Sequence, residues 1–103
     1  LDNNNLQQTG SNDEIMSSNN LADKWKSFNW DVIEIDGHNI SEIFSVLFRG
    51  ATNEKPLAII ANTTKGKGVS FAQNDNEWHH AVMTNKLYNV AMNEVSSVMV
   101  GKK

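Results

Sequence analysis

The sequence lacks cysteine, so neither a disulfide framework nor a thiolate metal site can form. It has no apolar run near the roughly 20 residues that a membrane helix needs, and its first residues do not show the basic-then-apolar order of a secretory signal. Twelve acidic and nine basic residues give a net charge of −3, without a basic block that could follow a nucleic-acid backbone. These absences predict a soluble cytoplasmic protein that binds neither nucleic acid nor membrane.

A chain of 103 residues has room for one small domain or part of a larger one, because domains commonly hold about 100–150 residues. Leu1 leads directly into polar residues 2–5, a pattern typical of a strand that runs into a loop. We therefore expect a further segment upstream.

The first third of the chain predicts a loop and then a helix. Residues 2–20 are rich in asparagine, serine, glutamine and aspartate, which favour turns. A helix is predicted over 21–28, with Asn19 or Asn20 as its cap. Three apolar side chains at spacings of four and three are expected to share its buried face: Leu21, Trp25 and Phe28.

The middle of the chain predicts a strand, a helix and a second strand. Residues 31–35 form a short β-branched block before the turn signal Asp36-Gly37, and we expect a central strand there. Asn39 and Glu42 have the spacing of a capping box, and Gly50 can end the helix in a left-handed conformation. Five apolar residues form the predicted stripe of this helix: Ile40, Ile43, Phe44, Leu47 and Phe48.

Residues 57–61 form an unbroken apolar run, which is typical of a parallel strand covered on both faces. Together these elements predict a βαβ unit with a right-handed crossover. A last helix is predicted from the Thr84 cap, followed by a frayed tail over 101–103. Five residues are expected to be buried by this helix: Leu87, Val90, Ala91, Val95 and Val98.

Flexible backbone, cationic groups and imidazoles are concentrated in residues 65–71 (KGKGVSF) and 78–80 (WHH). Glycines let backbone N–H groups turn toward an anion, and lysines supply charge, so this loop could hold a phosphate. A lysine–glycine loop taken alone is more often a solvated turn. Because ligands of parallel sheets bind beyond the carboxyl ends of the strands, we expect the loops at 2–5, 36–38 and 62–68 to converge at one rim.

Six segments occur in the order found in the thiamine-diphosphate-binding part of transketolase, particularly the separate N-terminal subunit of split transketolases. They are residues 2–7 (DNNNLQ), 21–30 (LADKWKSFNW), 34–39 (EIDGHN), 55–56 (KP), 61–71 (ANTTKGKGVSF) and 78–80 (WHH). The resemblance covers residues 1–83, the C-terminal part of such a domain, and leaves 84–103 as a C-terminal helix and tail. It implies an α/β fold with a mostly parallel sheet and flanking helices, present here as a partial domain.

The resemblance also implies thiamine diphosphate at a subunit interface, with Mg²⁺ bridging the diphosphate to the protein. Asn4 would give its amide oxygen to the metal and Leu6 its backbone carbonyl, both of them hard oxygen donors that suit Mg²⁺. The alternative is that residues 3–5 are simply a polar loop. Lys65 and Gly66 complete the implied cofactor-binding set, although Lys65 and Lys67 are expected mainly to shape their loop.

His79 corresponds to a histidine that lies near the diphosphate and the substrate carbonyl in the family. It is the implied catalytic residue, because an imidazole with an ordinary pKa of about 6.5 can donate a hydrogen bond or carry a proton near neutral pH. His80 stands second, at a position where the family often has glycine. Both histidines could also be ordinary surface residues, and His38 is expected to order its turn.

The sequence departs from the family in ways that limit the implied function. The Gly-Asp-Gly element with the anionic metal ligand, the upstream substrate histidines and the carboxylate that activates the cofactor are all absent, and Met83 replaces a proline. The resemblance implies a transferase that moves a two-carbon ketol unit between sugar phosphates in an oligomer with a C-terminal subunit or section, and a chain inactive alone. Alternatives are a non-catalytic assembly module and an enzyme resembling deoxyxylulose-phosphate synthase.

Overall fold

The computed structural model describes residues 1–17, 19–50 and 54–100. They divide into two compact units, one made of Leu1–Asn5 with Ser11–Thr63, and the other of Leu6–Gly10 with the chain from Thr64 onward. The predicted frayed tail at 101–103 lies outside the described residues. None of the helices in the described part of the chain has the length and apolar character needed to cross a bilayer.

A three-stranded parallel sheet forms the centre of the first unit. Its strands are β1 (Asp2–Asn3), β4 (Asp31–Asp36) and β5 (Leu57–Asn62), in the order β1-β5-β4. The predicted parallel pairing of the two long strands is confirmed, since β4 and β5 are in register from Asp31 opposite Leu57 to Asp36 opposite Asn62. The expectation that β4 is central was wrong for the described sheet, because β5 takes that place and carries Ile60, which is 1% exposed.

The connection between these strands is helix α3 (Ile40–Arg49), as the sequence predicts. The Asn39 side chain accepts hydrogen bonds from the Ser41 and Glu42 backbone N–H groups. Glu42 does not complete a capping box in the usual way, because its carboxylate instead accepts from Asn39 Nδ2 and from the Asp36 backbone N–H. This carboxylate therefore joins the start of the helix to the end of β4.

The apolar stripe of α3 is only partly covered. Ile43 and Val46 are half-buried and line an apolar cavity of about 280 Å³ against Ile35 and Ile59 of the sheet. Most of the predicted stripe is exposed: Ile40 76%, Phe44 67%, Leu47 66% and Phe48 84%. The two phenylalanine rings stack on each other with centroids 5.7 Å apart. Periodicity identified the stripe correctly, but it does not determine what covers it.

Helix α2 (Leu21–Ser27) begins after Asn20, whose side chain accepts from the Asp23 backbone N–H. Its buried residue is Ala22, and the expected burial of Phe28 was wrong, since that ring is 76% exposed beyond the last turn. Trp25 packs instead against Trp30, with ring centroids 4.7 Å apart. The chain reverses after the helix, which places the two indole rings together.

Residues 2–20 contain more regular structure than the predicted loop. The strands β2 (Leu6–Gln7) and β3 (Gly10–Ser11) pair as a small sheet, and helix α1 spans Asn12–Ile15. Ser11 and Glu14 form a capping box, in which the Ser11 side-chain hydrogen bond lowers the pKa of the Glu14 carboxyl. The composition of this segment favoured turns, so the spacing of Ser11 and Glu14 was not recognised as a capping box.

The second unit contains the long helix α4 (Asn85–Val100) and a 3-10 helix at Asn76–His79. The predicted Thr84 cap is confirmed, because Thr84 Oγ1 accepts from the Leu87 backbone N–H at 3.3 Å. Ala91 is buried and Leu87 is half-buried. The remaining predicted core positions are exposed, which corrects that prediction: Val90 39%, Val95 41% and Val98 59%.

Candidate functional site

The rim of the first unit is the edge where its three parallel strands end. Asn3 lies opposite Asn62 in the pairing of β1 with β5, and Asp36 lies opposite the same Asn62 in the pairing of β4 with β5. Three polar residues are thus side by side at the carboxyl ends of neighbouring strands, where open α/β sheets bind their ligands. The expected convergence is observed for the loop residues that belong to the first unit, namely 2–5, 36–38 and 62–63.

Hydrogen bonds between side chains and backbone hold the rim together. Asn3 Nδ2 donates to Asn62 Oδ1 at 2.8 Å, and the Thr63 backbone N–H donates to the Asn3 carbonyl at 3.1 Å. Thr63 Oγ1 also donates to the Asp2 carboxylate. On the other side, the Gly37 N–H donates to the Asn62 carbonyl at 2.9 Å, so all three strand ends are linked directly.

Close packing explains why residue 37 is glycine. A Cβ atom at this position would overlap Thr63 Cγ2 and would approach Ala61 Cβ to 3.1 Å and the Asn62 carbonyl oxygen to 3.2 Å. The turn after β4 therefore lies directly against the end of β5. Any side chain here would push apart two of the strand ends that form the rim.

We expect Gly37→Ala to lower the free energy of unfolding by about 1–3 kcal/mol, the usual cost of overpacking. Adding Thr63→Ser should recover part of this loss, because serine removes the methyl group but keeps the hydroxyl that donates to Asp2. Urea unfolding of the single and double variants measures both changes. Equal stability of Gly37→Ala and Gly37→Ala/Thr63→Ser would show that the methyl contact does not matter.

In the second unit, the loop from Thr64 to Asn74 closes on itself. The Val69 N–H donates to the Gly66 carbonyl at 3.1 Å, and the Asn74 N–H donates to the Lys65 carbonyl at 2.9 Å. Gly66 has φ 69°, and a Cβ there would overlap the carbonyl group of Ala72. Lys65 and Gly66 are therefore held by backbone contacts within a compact turn.

The two histidines end the 3-10 helix and are both exposed. Asp75 caps this helix by accepting from the Glu77 N–H at 2.9 Å. The rings of His79 and His80 meet edge to face with centroids 4.5 Å apart, and His80 Nε2 lies 3.1 Å from Gln8 Nε2. His80 is thus bonded to the segment before Gly10, and His79 packs against it.

Two contacts that the sequence did not indicate fix the loop within this unit. Phe71 packs against Trp78 with ring centroids 4.9 Å apart. Glu94 on α4 accepts from Ser70 Oγ at 2.5 Å and from the Ser70 backbone N–H at 2.7 Å. The side-chain bond from Ser70, followed by the backbone bond, lowers the pKa of the Glu94 carboxyl. A local pattern could not have revealed contacts made across 24 residues.

The predicted site residues are distributed over both units. Asn4 lies in the first, and Leu6, Lys65, Gly66 and His79 lie in the second. Asn4 and Leu6 flank Asn5, whose φ of 59° turns the chain between β1 and β2. In the described part of the chain, no three His, Asp or Glu side chains are grouped closely enough to hold a metal ion.

The thiamine diphosphate binding domain of transketolase is the family whose sequence profile matches residues 1–95. The chain belongs to this transketolase domain family. One of the subunits of the apulose-4-phosphate transketolase of Phocaeicola vulgatus is 43% identical to it over 98 residues, which cover 93% of this chain and 34% of that protein. A 6-deoxy-6-sulfo-D-fructose transketolase subunit of Clostridium sp. is 38% identical over 95 residues, 91% of this chain and 34% of that protein.

The crystal structure of transketolase from Campylobacter jejuni has the same fold. It superposes with a TM-score of 0.82 at 25% identity, over 92% of this chain and 15% of the transketolase chain. This confirms the predicted α/β class with a parallel sheet and flanking helices. The chain spans about a third of the length of the curated subunits that it matches.

The donor groups at the rim would suit a cation that offsets the charge of a diphosphate, and this domain family binds thiamine diphosphate. The carboxylates of Asp2, Asp36 and Glu42 already accept hydrogen bonds from Thr63, His38 and Asp36, respectively. They make the rim of the first unit anionic, so a diphosphate would need a cation to offset the charge. The neutral oxygens of the polar loop after β1 are hard donors of the kind that Mg²⁺ prefers.

Proposed function

We propose that this chain is part of the N-terminal subunit of a thiamine-diphosphate-dependent transketolase and contributes to transfer of a two-carbon ketol unit between sugar phosphates. The single observation that supports this most strongly is the match of residues 1–95 to the thiamine diphosphate binding domain of transketolase. The strand ends of the first unit add a physical reason, since they form a polar edge of the kind that binds ligands in parallel sheets.

In this proposal, the side-chain oxygen of Asn4 and the backbone carbonyl of Leu6 would hold Mg²⁺. Both donors are uncharged, so the diphosphate would have to supply anionic oxygens. An octahedral shell of oxygens completed by water is the arrangement that Mg²⁺ favours.

Lys65 and Gly66 shape the loop that receives the diphosphate, with Lys65 also offering positive charge to it. His79 donates a hydrogen bond or carries a proton at the substrate oxygen, as an imidazole can near neutral pH. When bound, thiamine diphosphate supplies the reactive carbon on which the carbon–carbon bond is broken and formed. In this proposal, the residues of this chain bind and orient the cofactor and the substrate, and they move protons.

The proposed partner is the C-terminal subunit or section, which provides what this chain lacks. The relatives from P. vulgatus and Clostridium are themselves transketolase subunits. The assembly is an oligomer, and its expected location is the cytoplasm. We expect no activity from residues 1–103 alone.

Calorimetric titration of the native subunit that contains this chain, with thiamine diphosphate and Mg²⁺, tests the cofactor proposal. We expect Asn4→Ala to weaken the apparent Mg²⁺ affinity about 10–100-fold, in the range seen when groups supporting a metal site are removed. Asn89→Ala is the matched control, since Asn89 is an exposed amide on α4, and it should bind like the wild type.

Three results would contradict the proposal in different ways. Absence of any cofactor-dependent heat in the wild-type subunit would favour a non-catalytic assembly module. Normal cofactor binding without ketol transfer, but with condensation of pyruvate and a sugar phosphate in the assembled enzyme, would favour the synthase alternative. Equal metal affinity of Asn4→Ala and Asn89→Ala would remove Asn4 from the metal site.

A further inference from the structure

The amide of Asn76 connects two parts of the second unit that carry different predicted site residues. Oriented to satisfy both neighbours, its side-chain nitrogen donates to the Gln7 carbonyl at 3.2 Å, and its oxygen accepts from the Gly10 N–H at 3.0 Å. Asn76 is half-buried in the first position of the 3-10 helix that ends at His79. One side chain therefore contacts both backbone groups that flank the turn Gln8-Thr9.

A primary amide is the side chain that this position requires. It offers a donor and an acceptor side by side, as a peptide group does, and so it can bond to a carbonyl and an N–H of the same hairpin. A carboxylate of the same shape could still accept from Gly10, but it would present a second acceptor to the Gln7 carbonyl. An alanine would make neither bond.

A second contact between the same two segments lies beside the first. Gln8, in the turn of the hairpin, approaches His80 Nε2 at 3.1 Å, and the His80 ring packs edge to face against His79. The Asn76 contact thus lies at the start of the 3-10 helix, and the contact between Gln8 and His80 lies at its end. Between them they fix both the helix and the imidazole pair to the hairpin that begins at Leu6.

We propose that Asn76 is a positioning residue that holds the Leu6–Gly10 hairpin against the helix bearing His79. This inference rests on the proposed function, in which Leu6 gives its carbonyl to the metal and His79 acts at the substrate. The Asn76 amide then sets the placement of a metal donor relative to an imidazole.

Hydrogen exchange in the assembled native enzyme tests whether Asn76 holds the Leu6–Gly10 hairpin in place, without relying on activity. Exchange of the peptide covering residues 6–11 is measured by mass spectrometry in wild type, Asn76→Ala, Asn76→Asp and the exposed-amide control Asn93→Ala. We expect at least a tenfold faster exchange of that peptide in Asn76→Ala. The rate in Asn76→Asp should be intermediate, because the acceptor for Gly10 remains. Unchanged exchange in Asn76→Ala would overturn the proposed positioning role of Asn76, whether or not the enzyme binds a cofactor.

The same variants separate positioning from a general loss of stability. We expect Asn76→Ala to raise the Mg²⁺ concentration needed for half-maximal activity about tenfold, the lower end of the range for groups that support metal donors. Thermal unfolding of the assembly is recorded alongside. A lower unfolding temperature with unchanged Mg²⁺ dependence would contradict the positioning role. Failure of the wild type to respond to Mg²⁺ would instead contradict the proposed function. The exchange rates would then decide alone whether Asn76 holds the hairpin in place.

Discussion

Gly66→Ala is expected to lower the free energy of unfolding by about 2–5 kcal/mol. The left-handed backbone costs a residue with a Cβ about 1–2 kcal/mol, and overpacking adds about 1–3 kcal/mol. Both effects apply here, because Gly66 has φ 69° and its Cβ would come within 2.6 Å of the Ala72 carbonyl carbon. Relative to a typical total stability of about 5–15 kcal/mol, this is a large loss. Urea unfolding followed by tryptophan fluorescence measures it.

Gly68→Ala provides a control that separates the two effects. Gly68 also has a positive φ, 95°, but among the described residues no atom beyond its chain neighbours lies within 4 Å of its Cβ position. It should therefore lose only the backbone contribution of about 1–2 kcal/mol. If Gly66→Ala and Gly68→Ala were equally stable, the contact with Ala72 would contribute nothing to the loss of stability. The close packing within residues 65–74 would then not explain why residue 66 is glycine.

The parts of the fold with a local sequence code were predictable. An asparagine cap, an apolar stripe and a terminal glycine defined α3 to within a residue, and the unbroken apolar run gave β5. Parallel pairing followed because a helix of that length joins the two strands, and parallel strands require such a crossover. The position of the candidate site at the strand ends followed in turn from the strand directions.

Burial was less predictable, because a repeat shows which side chains share a face but not what lies opposite. Phe44 and Phe48 have the correct spacing, yet they stack on each other and remain exposed. Strand order failed for a similar reason. Nothing in residues 31–35 distinguishes an edge strand from a central one, since that depends on where β1 joins the sheet.

The contacts that position the candidate site were not predictable from spacing at all. Ser70 and Glu94 are 24 residues apart, and Gln8 and His80 are 72 apart. Asn76 looks like an ordinary polar loop residue in the sequence, since only its tertiary contacts with Gln7 and Gly10 distinguish it. The resemblance implied which residues would touch a ligand, while the structure shows which side chains contact the segments that carry them.

His79→Gln is expected to reduce kcat/KM for ketol transfer by about 10²–10⁴-fold in the assembled enzyme, the usual contribution of a general acid–base group. Glutamine retains a hydrogen-bonding side chain but cannot carry a proton. Steady-state kinetics of the wild-type and variant assemblies measure the reduction.

His80→Gln distinguishes the two neighbouring imidazoles. Because His80 packs on His79 and contacts Gln8, its loss should misplace the first ring without removing the proton carrier. We expect a reduction in kcat/KM of about tenfold at most, well below the range for loss of an acid–base group. If His80→Gln lowered kcat/KM far more than His79→Gln, the assignment would be reversed, and the exposed ring bonded to Gln8 would be the one that acts on the substrate.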